Sequence, residues 1–517
     1  MTFEIVFVLL SLLGMVAALI ADKMRPGMIL FSVVVLFLCA GILTPKEMLE
    51  GFSNKGMITV ALLFLVSEGI RQSGTLGQVI KKLLPQGKTT VFKAQLHILP
   101  SVAFISAFLN NTPVVVIFAP IIKHWAKSVN LPATKFLIPL SYVTILGGIC
   151  TLIGTSTNLV VHGMILEAGF EGFSMFELGK VGIFIAIAGI IYIFLFSKRL
   201  LPDARPDTAV PDEEVEEGEK LHRVEAVLGA RFPGINKKLK DFNFQRHYGA
   251  EVKEIKTRNG QRFVSNLEEV VLHEGDTLVV MADDTFIPTW GESSVFVLLT
   301  NGNEPDTTGK KKRWFALLLL VLMIVGATVG ELPITKEMFP DIKLDMFFFV
   351  SITTIIMAWT NLFPARKYTK YISWDILITI ACAFAISKAM VNSGVADSVA
   401  KFIIGLSDDY GPHVLLAMVF IITNLFTELI TNNAAAALAF PLALSISAQL
   451  GVSPTPFFVV ICMAASASFS TPIGYQTNLI VQGIGNYKFT DFVRIGLPLN
   501  IITFLISIIL IPLIWNF

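Results

Sequence analysis

The sequence predicts a polytopic α-helical membrane protein: two inverted repeats of five spans plus one re-entrant hairpin each, with a small α/β soluble domain inserted between them. Three observations predict it. The 517-residue chain is 54% hydrophobic and 15% charged with mean hydropathy +0.70, too apolar for a soluble globular protein. Two polar motifs interrupt apolar runs and recur in the same order. Phe108-Leu109-Asn110-Asn111-Thr112-Pro113 returns as Ile430-Thr431-Asn432-Asn433-Ala434, and Ile153-Gly154-Thr155-Ser156-Thr157-Asn158-Leu159 as Ile473-Gly474-Tyr475-Gln476-Thr477-Asn478-Leu479. Finally, the composition turns polar between the two halves.

A membrane span needs about 20 apolar residues. Candidates in the first half cover 3–21, 26–43, 56–73, 136–166 and 179–197; in the second, 314–331, 345–363, 375–392, 455–485 and 494–515. The stretches 91–128 and 411–449 are too long and too interrupted for one straight helix, and each has its Asn-Asn pair near the middle. They are expected to be the hairpins, and 136–166 and 455–485 to be broken helices. Met1-Thr2-Phe3-Glu4 has no basic n-region and no small-residue cleavage site follows, so the first apolar run is expected to be a retained span. Repeat 1 is then 1–199 and repeat 2 is 314–517. Between them, 200–220 reads as an acidic linker and 302–313 as a second linker. The segment 221–301 carries β-like runs at 223–228, 250–256, 277–281 and 295–300, with turn signals at Asn259-Gly260 and Glu274-Gly275-Asp276.

Charge orients the chain. With both hairpins re-entrant, Lys23, Arg25, Lys81, Lys82, Lys88, Lys93, Lys123, Lys127, Lys135, Lys198 and Arg199 share a face opposite Glu167, Glu171 and Glu177. Arg366, Lys367, Lys370, Lys488 and Arg494 join the basic face, while Asp397, Asp408 and Asp409 take the other, with Lys401 the exception. The positive-inside rule makes the basic face cytoplasmic. The expectation is a multi-pass protein of the cell (inner) membrane, with a cytoplasmic soluble domain and both termini extracytoplasmic.

The halves read as copies. Asn158 and Asn478 stand 320 residues apart, as do Gly163 and Gly483, Ser73 and Ser393, and Gly74 and Gly394. Asn110 and Asn432 stand 322 apart, read as a two-residue slip. An odd number of crossings inverts the second copy. Inverted repeats with interrupted helices are a signature of secondary transporters, whose sites lie near the bilayer midplane. The alternative, that duplicated Asn and Gly only pack helices, leaves the coincidence of four breaks unexplained.

Broken helices at membrane depth leave orphan backbone groups that cost several kcal/mol each unless satisfied. Asn111 or Thr112, with Pro113 near the first helical position, reads as a helix start. Asn433 can cap the run from Ala434; Thr157 or Asn158, and Thr477 or Asn478, can cap the other outgoing halves. Four helix N-termini would then converge, each carrying roughly half a positive charge and free N–H groups for an anion. The incoming halves end in carbonyls that suit a bare cation. No Lys or Arg lies within the breaks. An anion there would be held by amides, hydroxyls and co-bound cations, which makes its affinity depend on the cation. Glu428, four residues before Asn432 and paired by the 322 interval with Ser106, reads equally as a coupling carboxylate or as a water-exposed residue near the hairpin base.

These motifs resemble the divalent anion:sodium symporter (DASS) family of the ion-transporter superfamily, which carries Ser-Asn-Thr at two hairpin tips and Gly-Thr-x-x-Asn-type loops in two broken helices. The match covers nearly all of the membrane part. It implies that Asn111, Thr112 and Asn433 contact substrate, with Thr157, Asn158, Ala434, Thr477 and Asn478 beside them. It implies one sodium ion among Ser106, Asn110, Asn111 and Gly154 and another among Asn432, Asn433 and Gly474. It further implies a homodimer and an elevator mechanism. The tips here read Asn110-Asn111-Thr112 and Asn432-Asn433-Ala434, so the second lacks the hydroxyl of the first. The insert resembles the C-terminal regulator-of-potassium-conductance (TrkA-C) domain, on Leu221–Leu228, Gly234–Leu239 and Glu274–Val280. Such domains dimerise or bind small ligands, cyclic dinucleotides among them.

The expected function is therefore sodium-coupled symport of a small divalent oxyanion, sulfate ahead of a C4-dicarboxylate. The rivals are a proton-coupled or antiporting permease for citrate or arsenite, and a gated ion channel controlled by the insert. The channel would need a carbonyl-lined filter such as Thr-Val-Gly-Tyr-Gly, which the sequence lacks. A net charge of +1 gives no signal for nucleic acid. No nucleophile–base pair stands out, so no enzyme is expected. No Gly-x-Gly-x-x-Gly follows a strand, and Cys39, Cys150, Cys382 and Cys462 have no metal-ligand spacing. Sodium as coupling ion is the only cofactor expected.

Overall fold

The computed structural model describes residues 3–21, 24–203, 222–229, 231–257, 261–283, 286–290, 295–300, 309–339, 342–405 and 411–517. Most of the expected linkers, Asn259-Gly260, Asp408 and Asp409 fall outside them. The principal helices are α1 (Phe3–Ala21), α2 (Pro26–Cys39), α3 (Lys55–Gln72), α4 (Val91–Ser106), α5 (Asn111–Ser128), α6 (Leu137–Gly148), α7 (Ser156–Glu167) and α8 (Gly179–Leu200). After the sheet come α9 (Lys310–Gly330), α10 (Met346–Trp359), α11 (Trp374–Asn392), α12 (Gly411–Leu429), α13 (Asn432–Leu450), α14 (Thr455–Ser466), α15 (Gln476–Gly485) and α16 (Phe489–Ile514). Among the described residues eight helices are long and apolar enough to cross a membrane, and five more apolar helices run 10–17 residues. The protein is a multi-pass membrane protein.

The two spans expected to be broken helices are each two short helices, α6–α7 and α14–α15, and the reason is visible in the backbone. Between α6 and α7, Thr151 acts as a latch. Its hydroxyl donates to Ala107 O and accepts the Gly154 amide at 3.2 Å, while Asn158 Nδ2 donates to Thr151 O at 2.9 Å. Between α14 and α15 the same set recurs. Thr471 Oγ1 donates to Glu428 O at 3.0 Å and accepts the Gly474 amide at 3.4 Å, and Asn478 Nδ2 donates to Thr471 O at 3.2 Å. Each latch satisfies groups that the interrupted helix cannot. The glycines are there for space. A Cβ on Gly154 would lie 2.5 Å from Gly148 O, and one on Gly474 2.2 Å from Thr427 O.

Strands β1 (His222–Leu228), β2 (Glu251–Lys256), β3 (Arg262–Phe263), β4 (Thr277–Ala282) and β5 (Phe296–Thr300) form one antiparallel sheet in the order β3-β2-β4-β1-β5. Alternation puts Val224, Ala226, Leu228, Leu278, Val280 and Ala282 on one face, packed on Phe232, Phe242, Phe244, Tyr248 and Phe296. The other face is buried too: Val227, Thr277 and Val279 are at most 3% exposed. It lies against the helices. Val227 belongs to the main helical cluster, and Lys123 of α5 pairs with Glu225 at 2.9 Å. A Cβ on Gly275 would lie 2.6 Å from Leu479 Cγ, and one on Gly483 2.6 Å from Thr277 Oγ1. The sheet therefore sits directly behind α15.

Close helix approach also depends on Gly147 of α6, where a Cβ would fall 2.1 Å from Ala103 O of α4; around Gly14 of α1 nothing lies within 4 Å. Gly147→Ala is expected to destabilise by ~1–3 kcal/mol through overpacking, whereas Gly14→Ala gains helix propensity without a clash. Melting of the purified variants in detergent checks this: Gly147→Ala should melt several degrees below wild type, and Gly14→Ala should not melt below it.

Candidate functional site

The two hairpin tips share one hydrogen-bond signature. Ser106 Oγ donates to Asn111 Oδ1 at 2.8 Å, and Thr427 Oγ1 donates to Asn432 Oδ1 at 2.8 Å. These residues stand 321 apart, as do Pro120 and Pro441 inside α5 and α13. The interval of 322 between Asn110 and Asn432 is thereby corrected: Asn432 matches Asn111. The second tip is Thr431-Asn432-Asn433, with Thr431 where the first has Asn110 and Asn433 where it has Thr112. Ala434 corresponds to Pro113, is 1% exposed, and packs in an apolar cluster with Cys382, Ile386, Ile430 and Leu438. It is not at the tip. Glu428 pairs with Ala107, not Ser106.

The helix starts are corrected as well. The N-caps of α5, α7, α13 and α15 are Asn110, Thr155, Thr431 and Tyr475, and none makes a side-chain capping bond. Asn111, Thr112, Thr157, Asn158, Asn433, Thr477 and Asn478 fall inside the first turns instead. The first-turn amides are thus not consumed by caps, and the positive ends of four helix dipoles are left to act on what lies between them.

All four breaks meet. Asn111 Nδ2 of tip 1 donates to Tyr475 Oη at 2.5 Å, and Thr155 Oγ1 lies 3.0 Å from the same oxygen. Thr112 Oγ1 donates to Gln476 Oε1 at 3.2 Å, and Ser156 and Thr157 donate to Asn433 Oδ1 at 3.3 and 3.2 Å. So the structure brings together Asn111, Thr112, Thr157, Asn432 and Asn433. Asn158 and Asn478 turn their amide groups back onto their own loops, and Thr477 bonds Ser141 at 2.9 Å. Gly154 and Gly474 lie in the loops behind the tips. Asn110 borders a cavity walled by Val60 and Leu63 of α3 and by Leu320 and Met323 of α9.

Several buried oxygens here have no hydrogen-bond partner, among them Asn158 Oδ1, Thr431 Oγ1, Glu428 Oε2 and Asn500 Oδ1. Buried polar atoms are nearly always partnered, so each of these oxygens keeps capacity for a further ligand. Glu428 is held by the Ser470 amide (2.9 Å) and Asn500 Nδ2 (2.7 Å) on Oε1. Sequence reasoning passed over Tyr475, Thr155, Gln476, Ser141 and Asn500. Tyr475 and Gln476 stand inside the repeated motif, where their mismatch with Thr155 and Ser156 was the available signal.

The citrate transporter family, CitMHS, matches residues 16–451 and 342–516. An uncharacterized transporter of Synechocystis is 30% identical, over 94% of this chain and 93% of its own length. A putative sulfur deprivation response regulator of Chlamydomonas reinhardtii is 28% identical over 93% of this chain and 96% of its own. A probable sodium/sulfate cotransporter of the same alga is 23% identical over 93% and 85%. With a family match over most of its length and convergent hairpin tips at its centre, the chain belongs to the citrate transporter family, CitMHS.

Proposed function

We propose that this protein is a sodium-coupled symporter of a small divalent oxyanion, sulfate ahead of a C4-dicarboxylate. The observation that carries the reading is the meeting of four uncapped helix N-termini at a site with no Lys or Arg in its breaks. Their dipole ends and first-turn amides, with Thr112, Thr157, Asn111 and Asn433, form an anion cradle. Asn158 Oδ1 in one half and Thr431 Oγ1 in the other, both partnerless, offer oxygens to one sodium ion each. Ser106, Asn110, Asn111 and Gly154 complete the first ion's surroundings; Asn432, Asn433 and Gly474 complete the second's. Sodium thereby supplies the positive charge that the protein lacks, which couples the two solutes. A relative's name, probable sodium/sulfate cotransporter, supports the same pair.

The matched latches and tips support two repeats of five crossings plus one hairpin, the second inverted, with an elevator motion in a homodimer. The basic face places the sheet domain in the cytoplasm. Uptake of labelled sulfate and succinate into proteoliposomes tests the reading. Sulfate uptake should require Na⁺ and fall at least about tenfold in K⁺ or choline, the discrimination expected of 1.4 kcal/mol or more of coupling. Sodium-independent uptake would remove the coupling.

A second reading, proton coupling with citrate, is favoured by one observation. Among the described residues Glu428 is the one carboxylate beside the tips, and the matching position of repeat 1 is Ala107. Gly182 on Ile149 O and Gly496 on Phe469 O align α8 with α16. In that register Ala107, Cys150 and Ala186 stand where repeat 2 has Glu428, Ser470 and Asn500. The fold does not need this polar trio, so Glu428 is proposed as a coupling carboxylate. Glu428→Gln should lower coupled uptake severalfold. If uptake by the variant keeps the wild-type pH dependence, Glu428 does not carry the proton.

The TrkA-C-like insert is proposed as a regulatory module that takes a small ligand, such as a cyclic dinucleotide, and acts through α15. Glu225 of β1 anchors it. Burial alone would raise its carboxyl, but Lys123 and Lys256 outweigh burial and hold it at about 2, below the usual 4.5. Because the docked value is lowered, the ion pair contributes above pH 4.5 and is lost as pH falls from 4.5 toward 2. Lys123→Glu should speed hydrogen exchange in β1 and α15, and Lys123→Glu combined with Glu225→Lys should restore much of the protection. Unchanged exchange in the single variant would contradict docking through this pair.

A further inference from the structure

We propose that Tyr475 sets the length of the anion that the site accepts. The inference rests on the anion-symport reading and names the residue that makes sulfate the better substrate. Tyr475 caps α15 and is 8% exposed. Its hydroxyl is a crossbar between the two halves, bonded to Asn111 of tip 1 and Thr155 of the other broken helix. The internal repeat supplies the comparison. Tyr475 stands 320 residues after Thr155, at the same place on the same kind of loop, next to equivalent glycines and latches. In a two-fold arrangement the axis passes between these two N-caps. A threonine on one side and a tyrosine on the other means that a phenol ring projects across the axis, while its partner is a short hydroxyl.

Two consequences follow from size and chemistry. A C4-dicarboxylate presents its two charges at opposite ends and would be gripped by both tips at once, with its carbon chain across the axis. The phenol occupies that path. A tetrahedral oxyanion concentrates its charge on one centre, fits to one side of the ring, and can accept a hydrogen bond from Tyr475 Oη. The hydroxyl and the ring thus do separable things: the ring limits length, and the hydroxyl adds one donor to the oxyanion. A site that offers a buried donor also rejects ligands that leave it unpaired.

Two substitutions separate these roles. Tyr475→Thr copies Thr155 and removes the ring while keeping a hydroxyl; Tyr475→Phe keeps the ring and removes the hydroxyl. Calorimetric binding of sulfate and succinate to the purified full-length protein in NaCl, with uptake of both by proteoliposomes, gives the readout. Tyr475→Thr should raise the succinate-to-sulfate preference about tenfold or more, and Tyr475→Phe should weaken sulfate severalfold without letting succinate in, the size of effect expected from one pocket wall and one hydrogen bond. A preference in Tyr475→Thr within about twofold of wild type, well below one hydrogen bond's worth, overturns the inference. If only Tyr475→Phe shifts the preference toward succinate, the hydroxyl rather than the ring sets length, and the inference fails in that form. Wild-type protein that binds neither anion overturns the symport reading and the inference together; anion binding indifferent to residue 475 overturns the inference alone. Both variants run as one monodisperse peak in detergent if the fold is intact, which separates misfolding from altered selectivity.

Discussion

Everything at the centre of this protein depends on backbone that leaves the helix where no water is available to receive it. Such a break is costly in a low-dielectric interior unless each freed N–H and C=O finds a partner. Thr151 and Thr471 solve the problem identically. Each hydroxyl reaches a carbonyl at the end of a hairpin helix, Ala107 O or Glu428 O, while it accepts the amide of the loop glycine. Asn158 and Asn478 close the loop from the far side. The hairpins are thereby pinned to the broken helices, and the tips are held where four helix starts face one another. At the tips themselves, Tyr475, Thr112, Gln476 and Asn433 bond across the two halves.

The two halves differ most where their chemistry meets. Latches, loop glycines and tip asparagines recur, so they belong to the frame. Thr155 against Tyr475, and the apolar trio of Ala107, Cys150 and Ala186 against Glu428, Ser470 and Asn500, break the repeat. Under the proposed symport reading, these departures are where substrate length and cation coupling are set. The sheet domain adds a third asymmetry, since it packs behind α15 and buries Glu225 against Lys123.

Much of the frame was legible in the chain. Long apolar runs marked α1, α8, α9, α11 and α16, because lipid-facing helices need little besides length and apolarity. Four of the strands after residue 221 were legible as β-like runs between turn signals, although Arg262–Phe263 and the two-sided burial of β1 and β4 were not, since Glu225 looks like a solvent residue until Lys123 is seen beside it. The tip register was not legible. In a run such as Thr431-Asn432-Asn433 either asparagine satisfies the residue pattern, and only the bond from Thr427 to Asn432 decides. That one-residue difference moved Ala434 from the site into an apolar cluster. The caps were missed for a related reason. Propensity favours Asn and Thr at N-caps, but the latches fix where each helix begins, and they put Tyr475 at a position that propensity would not choose.

The central claim is that an anion is held without a fixed cationic side chain, so that sodium must supply the charge. Equilibrium binding tests this apart from any transport assay. The dissociation constant for sulfate of the purified protein should tighten by about tenfold or more between sodium-free and saturating sodium, and sulfate should tighten sodium binding by the same factor, as linkage requires. Choline at equal ionic strength should do neither. A sulfate affinity that is the same in sodium and in choline would contradict the account.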